Sequence, residues 1–160
     1  MRKIYNAIVL FEKAVIINAL VLMVIVTFAQ VIARFALHSP LSWSAEMARY
    51  LFVWITLIGA SLAISKGAHF GIDVLAQSLP QKLQRLLSVL TFFVILLFAL
   101  IMIVYGFQVV QFTWMQFSPA LHIRMSFPYL AIPISGIFMI IHVLEAFCRY
   151  CKKEGASRND

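Results

Sequence analysis

Four groups of residues in this chain have the types and spacing that chemistry requires. Cys148-Arg-Tyr-Cys151 is a CxxC, the spacing of a redox dithiol or of half a zinc site. A structural zinc wants four ligands, and the chain has only two cysteines. Two small half-buried residues at a helix end are the simpler reading. His142 and Glu145 share a helix face at i,i+3, an arrangement suited to a metal or a proton, but Glu145 to Arg149 is an ordinary favourable i,i+4 pair. Four histidines raise the question of haem, which membrane anchors ligate inside a helical bundle. His38 and His122 fall in loops, His69 in another loop and His142 near a helix end, so no pair sits well inside a bundle. Glu46 and Arg49, three apart at the start of a long apolar stretch, form a charged pair without catalytic company.

The elements that position these groups follow from composition. The chain has 160 residues, 63% of them hydrophobic and only 12% charged, far below the quarter or so that soluble domains carry. Ala14 to Ala33 is free of charge for 20 residues, Tyr50 to Ser65 for 16 and Leu86 to Gln116 for 31, and Met125 to Leu144 carries only His142. A hydrocarbon core of about 30 Å needs about 20 helical residues. The fold class expected is an all-α integral membrane protein: a single membrane domain over 1–160 with spans at about 14–33, 44–65, 86–115 and 127–147. The third run is longer than the bilayer needs and should tilt or project. The first is expected to be retained as a span, since its apolar run exceeds a signal peptide's and Glu12 and Lys13 interrupt the would-be n-region.

Charge then sets orientation. Four spans leave both termini on one side, with Arg2, Lys3, Lys13, Lys66, Lys82, Arg85, Arg149, Lys152, Lys153 and Arg158. Arg34, Arg49 and Arg124 fall on the other. Ten against three places both termini in the cytoplasm. The net charge of +7 is therefore a topology signal and a contact with anionic lipid, and no basic module for nucleic acid is formed. On the cytoplasmic, reducing side the CxxC has no oxidising role to fill.

Between the spans, Ser42 or Ser44 is expected to cap span two, with Glu46 near its positive N-terminus. Ile72, Leu75, Ala76 and Leu79 recur at helical spacing, which predicts an interfacial helix at about 70–79. Ser78-Leu-Pro-Gln81 reads as a capping box opening span three, and Ser126-Phe-Pro128 as a cap-then-proline start for span four. Pro133 kinks that last span or stays in its weakly bonded first turn. Trp43, Trp114 and Tyr129 suit one aromatic belt, Tyr5 and Tyr150 the other.

Substrate and ion paths are usually marked by ionisable groups within the membrane, and the cores of spans one to three contain none. Asn18, Thr27, Gln30, Thr56, Ser61, Gln108 and Gln111 read as interhelical glue. The chain is expected to be an accessory subunit and not a transporter alone. Glu46 is expected to pair with Arg49 or with Arg34, either as a topology-fixing pair or against a partner protein. Gly59, Ala60 and Ala63 allow close approach of a helix from this chain or a partner. The alternative class is a haem-binding membrane anchor of an oxidoreductase.

At these residues the chain resembles the small membrane subunit, the DctQ-like family, of tripartite ATP-independent periplasmic (TRAP) transporters. The likeness covers nearly the whole chain. It is carried by Arg34 closing span one, a Trp/Ser turn leading to Glu46, Arg49-Tyr-Leu-Phe-Val-Trp54, Gly59-Ala60, His69 followed by Asp73, Ser118-Pro119, and Tyr129 to Pro133. Family members often have two adjacent acids before the arginine; here Ala45 takes one place. The resemblance implies a non-catalytic subunit of the bacterial or archaeal cytoplasmic membrane. It implies a large multi-spanning partner holding the sodium and substrate sites, and a soluble periplasmic binding protein that the small subunit helps to dock. The system would import an organic acid on a sodium gradient. No cofactor, metal or substrate site is expected in this chain. Its partner-interface candidates are Arg34, Glu46, Arg49, Tyr50, Trp54, Gly59 and Ala60, with His69, Asp73, Pro119 and Arg124 as loop candidates.

Overall fold

The computed structural model describes residues 2–39, 41–66 and 80–156. Within them, helix α1 spans Arg2–Phe35, α2 Ser44–Ser65, α3 Gln81–Phe112, α4 Ser126–Tyr129 and α5 Ala131–Ala156. Four of these are long and apolar enough to cross a membrane, the last counted through α4 and α5 together. At about 1.5 Å per residue, α1 and α3 each reach about 50 Å, well beyond a hydrocarbon core of about 30 Å. The expected interfacial helix, with His69 and Asp73, and the start of the capping box at Ser78 lie outside the described residues.

The connections differ from the capping pattern read from sequence. Trp43 occupies the N-cap of α2 and no side chain caps the helix. The Ser44 hydroxyl turns back instead and donates to the Leu41 carbonyl at 2.7 Å. Met125 precedes α4, so Ser126 and Pro128 are already helical, and the buried Ser126 hydroxyl caps nothing. In both places the turn that precedes the serine already has helical dihedrals, which brings the helix start forward by one residue. Between α1 and α2 the chain reverses through His38 at φ 50°, with the Ser39 N–H donating to the Ala33 carbonyl at 3.1 Å.

Pro133 acts where its chemistry dictates. Lacking an N–H, it leaves the Tyr129 carbonyl without its i+4 donor, and the helical path is interrupted at Leu130 between α4 and α5. The Ile134 N–H donating to Leu130 at 3.2 Å resumes the ladder.

Helix α1 packs on α2, α2 on α5, and α5 on α3. The pair α2–α5 is thus central and the two long helices flank it. Between α3 and α5 the approach is close enough to require glycine. A Cβ on Gly106 would lie 2.8 Å from Pro133 Cδ, and one on Gly136 would lie 2.9 Å from Ile103 Cγ1 and 3.0 Å from the Ala99 carbonyl. Around this contact Ala99, Met102 and Met139 are buried, with Leu57, Ile64, Ile132 and Ile140 packed against them. The outward faces of α1 and α3 are bulky and apolar, for example Phe28, Val24, Phe93 and Val94, as lipid-facing helices require.

Candidate functional site

Helix α2 carries most of the residues singled out by sequence, and its faces sort them. In its first turn Glu46 is buried, and its partners are neither Arg34 nor Arg49. Tyr50, one turn later, donates its phenolic hydrogen to Glu46 Oε1. Glu46 Oε2 accepts from the backbone N–H groups of Ala120 at 2.9 Å and Leu121 at 3.0 Å. The expected charged pair is replaced by a carboxylate seated on peptide donors. The physical reason is geometric: the segment 113–125 folds over the end of α2 and turns two adjacent N–H groups toward it, fixed donors that need no long side chain to be ordered.

That segment is a short hairpin. Phe117 and Arg124 form an antiparallel bridge, the Ser118 N–H donates to Ile123 at 2.8 Å and the Met125 N–H to Gln116 at 2.9 Å. His122 sits at φ 53° in the reversal. The Arg124 guanidinium lies 5.0 Å from the centre of the Trp114 ring, so this arginine is stacked within the hairpin. Pro119 is exposed at its tip. Below it, Met47, Tyr50, Leu51, Trp54, Ile123, Phe127, Pro128 and Leu130 line an apolar groove of about 340 Å³. Tyr50 and Trp54 therefore face the hairpin and groove.

A neighbouring stripe of α2 is open. Ala45, Arg49, Phe52, Thr56 and Ala60 are exposed, at the spacing of one helical stripe. Nothing lies within 4 Å of a Cβ built on Gly59 beside them. Arg34 is exposed at the end of α1, its guanidinium 5.8 Å from the Phe35 ring. The seven interface candidates thus divide: Glu46, Tyr50 and Trp54 point into the chain's own structure, while Arg34, Arg49, Gly59 and Ala60 border open surface.

A second polar cluster was not singled out by sequence. Glu12, Ser61 and His142 are fully buried where α1, α2 and α5 meet. His142 Nε2 lies 2.7 Å from Glu12 Oε2, Ser61 donates to Glu12 Oε1, and the Tyr5 hydroxyl lies 3.3 Å from His142 Nδ1. Charge-free runs alone leave Glu12 outside the first span and His142 near a helix end. Both lie within helices, because α1 begins ten residues before Glu12 and α5 continues to Ala156. Both ring nitrogens of His142 are engaged, and His38 and His122 are exposed in loops. The described histidines therefore supply no facing pair for haem. Among the described residues no group of three or more His, Cys, Asp or Glu is placed to hold a metal. Cys148 is exposed on α5.

Residues 23–153 match the family model of the DctQ component of tripartite ATP-independent periplasmic transporters. The chain belongs to that family. It is 32% identical over 146 residues to the sialic acid TRAP transporter small permease protein SiaQ of Vibrio cholerae, covering 91% of this chain and 82% of the relative. It is also 32% identical over 123 residues to the sialic acid TRAP transporter permease protein SiaT of Haemophilus influenzae. That match takes in 76% of this chain but only 20% of SiaT. With the isethionate TRAP transporter permease protein DctMQ of Oleidesulfovibrio alaskensis it shares 26% identity over 143 residues, 84% of this chain and 22% of the relative. Family membership and the four apolar helices make the chain a multi-pass integral membrane protein, a TRAP transporter subunit and not an enzyme.

Proposed function

We propose that this DctQ-family chain is the static small subunit of a sodium-driven TRAP importer of an organic acid. It scaffolds a large multi-spanning permease subunit, which holds the sodium and the substrate, and its outer hairpin helps to receive a periplasmic binding protein. It sits in the cytoplasmic membrane with both termini inside, the orientation that the ten-to-three split of basic residues favours. The observation that carries the scaffold reading is the open stripe of α2. Arg49, Thr56, Gly59 and Ala60 form a partly polar, small-residue surface on a helix that turns Glu46, Ile58 and Ser61 into its own chain, whereas α1 and α3 turn bulky apolar residues outward. Small residues are what close helix approach in a membrane requires.

Relatives support the same assignment. In SiaT and DctMQ the matching segment is about a fifth of one longer permease chain, so a small unit of this kind occurs joined to a much larger one. The substrates in the relatives' names, sialic acid and isethionate, are both organic acids. The bulky apolar flanks of α1 and α3 leave membrane lipid as the remaining neighbour.

The test is affinity purification of the tagged chain from its native membrane in mild detergent, with mass spectrometry, for wild type and for Glu46→Ala with Arg49→Ala. A large hydrophobic partner near one-to-one is expected with wild type. The double variant should insert normally but give less complex or less uptake. No large partner, or a wild-type yield and wild-type uptake from the double variant, would sink the reading.

A further inference from the structure

Helix α1 is attached to the rest of the bundle along a narrow seam. Its buried residues, Glu12, Val26 and Ala33, fall at seven-residue spacing with the half-buried Tyr5 and Ala19, and the other half-buried positions, Ile8 and Val9, Val15 and Ile16, Met23, and Ala29 and Gln30, recur between them. A seven-residue repeat is the geometry of two helices wound together. The residues around it, such as Leu10, Ile17, Val21 and Val24, are exposed.

Such a seam has a weakness in a bilayer. Lipid chains are as apolar as leucine, so apolar side chains gain little by choosing a protein neighbour over a lipid one. Ala19, Val26 and Ala33 are small and repeat at the heptad spacing. A slide of α1 by one turn or one heptad would re-form much the same contacts. Apolar packing alone therefore discriminates poorly between registers.

Glu12 is the member of the repeat that discriminates. It is fully buried, and its two carboxylate oxygens meet Ser61 of α2 and His142 of α5. At 2.7 Å one proton lies between Glu12 Oε2 and His142 Nε2, whichever group owns it. Tyr5, one heptad earlier on α1, meets the other ring nitrogen at 3.3 Å and packs edge-on to the imidazole. A shifted register would leave a carboxylate and an imidazole unpaired in apolar surroundings, a cost that the shuffled apolar contacts could not offset. Lys13, 100° further around the helix, is exposed.

We propose that Glu12, His142, Ser61 and Tyr5 form a register clasp, which holds α1 at one height and one rotation against α2 and α5. Its contribution is uniqueness of the arrangement, the role that a single polar residue plays in the seam of a coiled coil. The clasp does not depend on the transport reading, since it concerns only contacts within this chain.

The measurement is the distance distribution between spin labels on Phe35→Cys at the end of α1 and Leu86→Cys near the opposite end of α3, both exposed in the native chain, so that an axial slide of α1 changes the distance by nearly its own length. The full chain carries Cys148→Ser and Cys151→Ser and is reconstituted in lipid nanodiscs. One narrow distance is expected with the clasp intact. Glu12→Leu with His142→Leu should still insert and fold but show a second population, displaced by about 5 Å or about 10 Å, one turn or one heptad. A single unshifted distance in that double variant would overturn the proposal, because packing would then set the register. Failure to fold of both that variant and Glu12→Met with His142→Met would overturn it too, since the pair would then serve stability.

Discussion

Glu46 and Ala120, 74 residues apart in sequence, meet at 2.9 Å where the carboxylate accepts the backbone N–H. With Leu121 and Tyr50 as further donors, the first turn of α2 grips the tip of the hairpin. Fifteen residues later on the same helix, Ser61 reaches Glu12 of α1. At about 1.5 Å per residue these two attachments are about 22 Å apart. Helix α2 is therefore fastened near both ends by polar bonds that apolar packing cannot replace, which suits a unit that stays still while a partner moves.

Glu46→Ala should free the hairpin without unfolding the helices. Amide exchange in residues 118–123 is expected to rise by about tenfold or more once the charge-assisted bonds are lost, while exchange in α3 and α5 stays as in wild type. Glu46→Gln keeps an oxygen for the two N–H groups and can donate its amide to Tyr50, so it should sit close to wild type. Equal protection of the hairpin in Glu46→Ala and wild type would show that the Phe117–Arg124 bridge holds it unaided.

Arg49→Ala should leave that protection unchanged, because Arg49 is exposed and takes no part in those bonds. Its loss is expected to appear in the yield of complex with the large permease. The pair of variants thus separates two roles that adjacent positions in sequence had suggested were one.

The difference between these neighbours explains what sequence could reveal. Four spans were readable because charge-free runs such as Leu86 to Gln116 report membrane thickness directly. The partner of Glu46 was not, since two backbone N–H groups leave no side-chain signature and the nearest visible cation, Arg49, was the natural guess. Glu12 is hidden in the sequence because it stands beside Lys13 at the edge of the charge-free run. Adjacent helical residues point 100° apart, so the lysine faces out and the glutamate in. No pattern in the sequence marks it, since Tyr5, Glu12, Ala19, Val26 and Ala33 share no chemical type and their seven-residue recurrence shows only in burial. Serine caps failed for a local reason: at Ser44 and Ser126 the preceding turn was already helical.

Gly106→Ala and Gly136→Ala are expected to destabilise the bundle, since the new methyl would fall 2.8 Å from Pro133 Cδ or 2.9 Å from Ile103 Cγ1. Overpacking of this kind costs about 1–3 kcal/mol. Both sites meet backbone at 3.0 Å, the Pro133 nitrogen at Gly106 and the Ala99 carbonyl at Gly136, so neither neighbour can simply turn aside. Thermal unfolding in detergent would measure it. An unchanged midpoint for Gly136→Ala would mean that α3 and α5 separate more readily than their buried contact implies.

Gly59 offers the contrasting case on α2. A methyl there meets nothing within 4 Å, and alanine favours helix over glycine by up to about 1 kcal/mol, so Gly59→Ala should leave the isolated chain as stable or slightly more so. Gly59→Leu with Ala60→Leu should likewise fold, the added bulk pointing into open surface. In the assembled transporter the outcome should reverse. If a partner helix packs closely on this stripe, the leucine pair holds it away and the yield of complex falls several-fold, while the midpoint of the free subunit holds. Wild-type assembly from the leucine pair would move the interface off α2, toward the exposed flanks of α1 or α3.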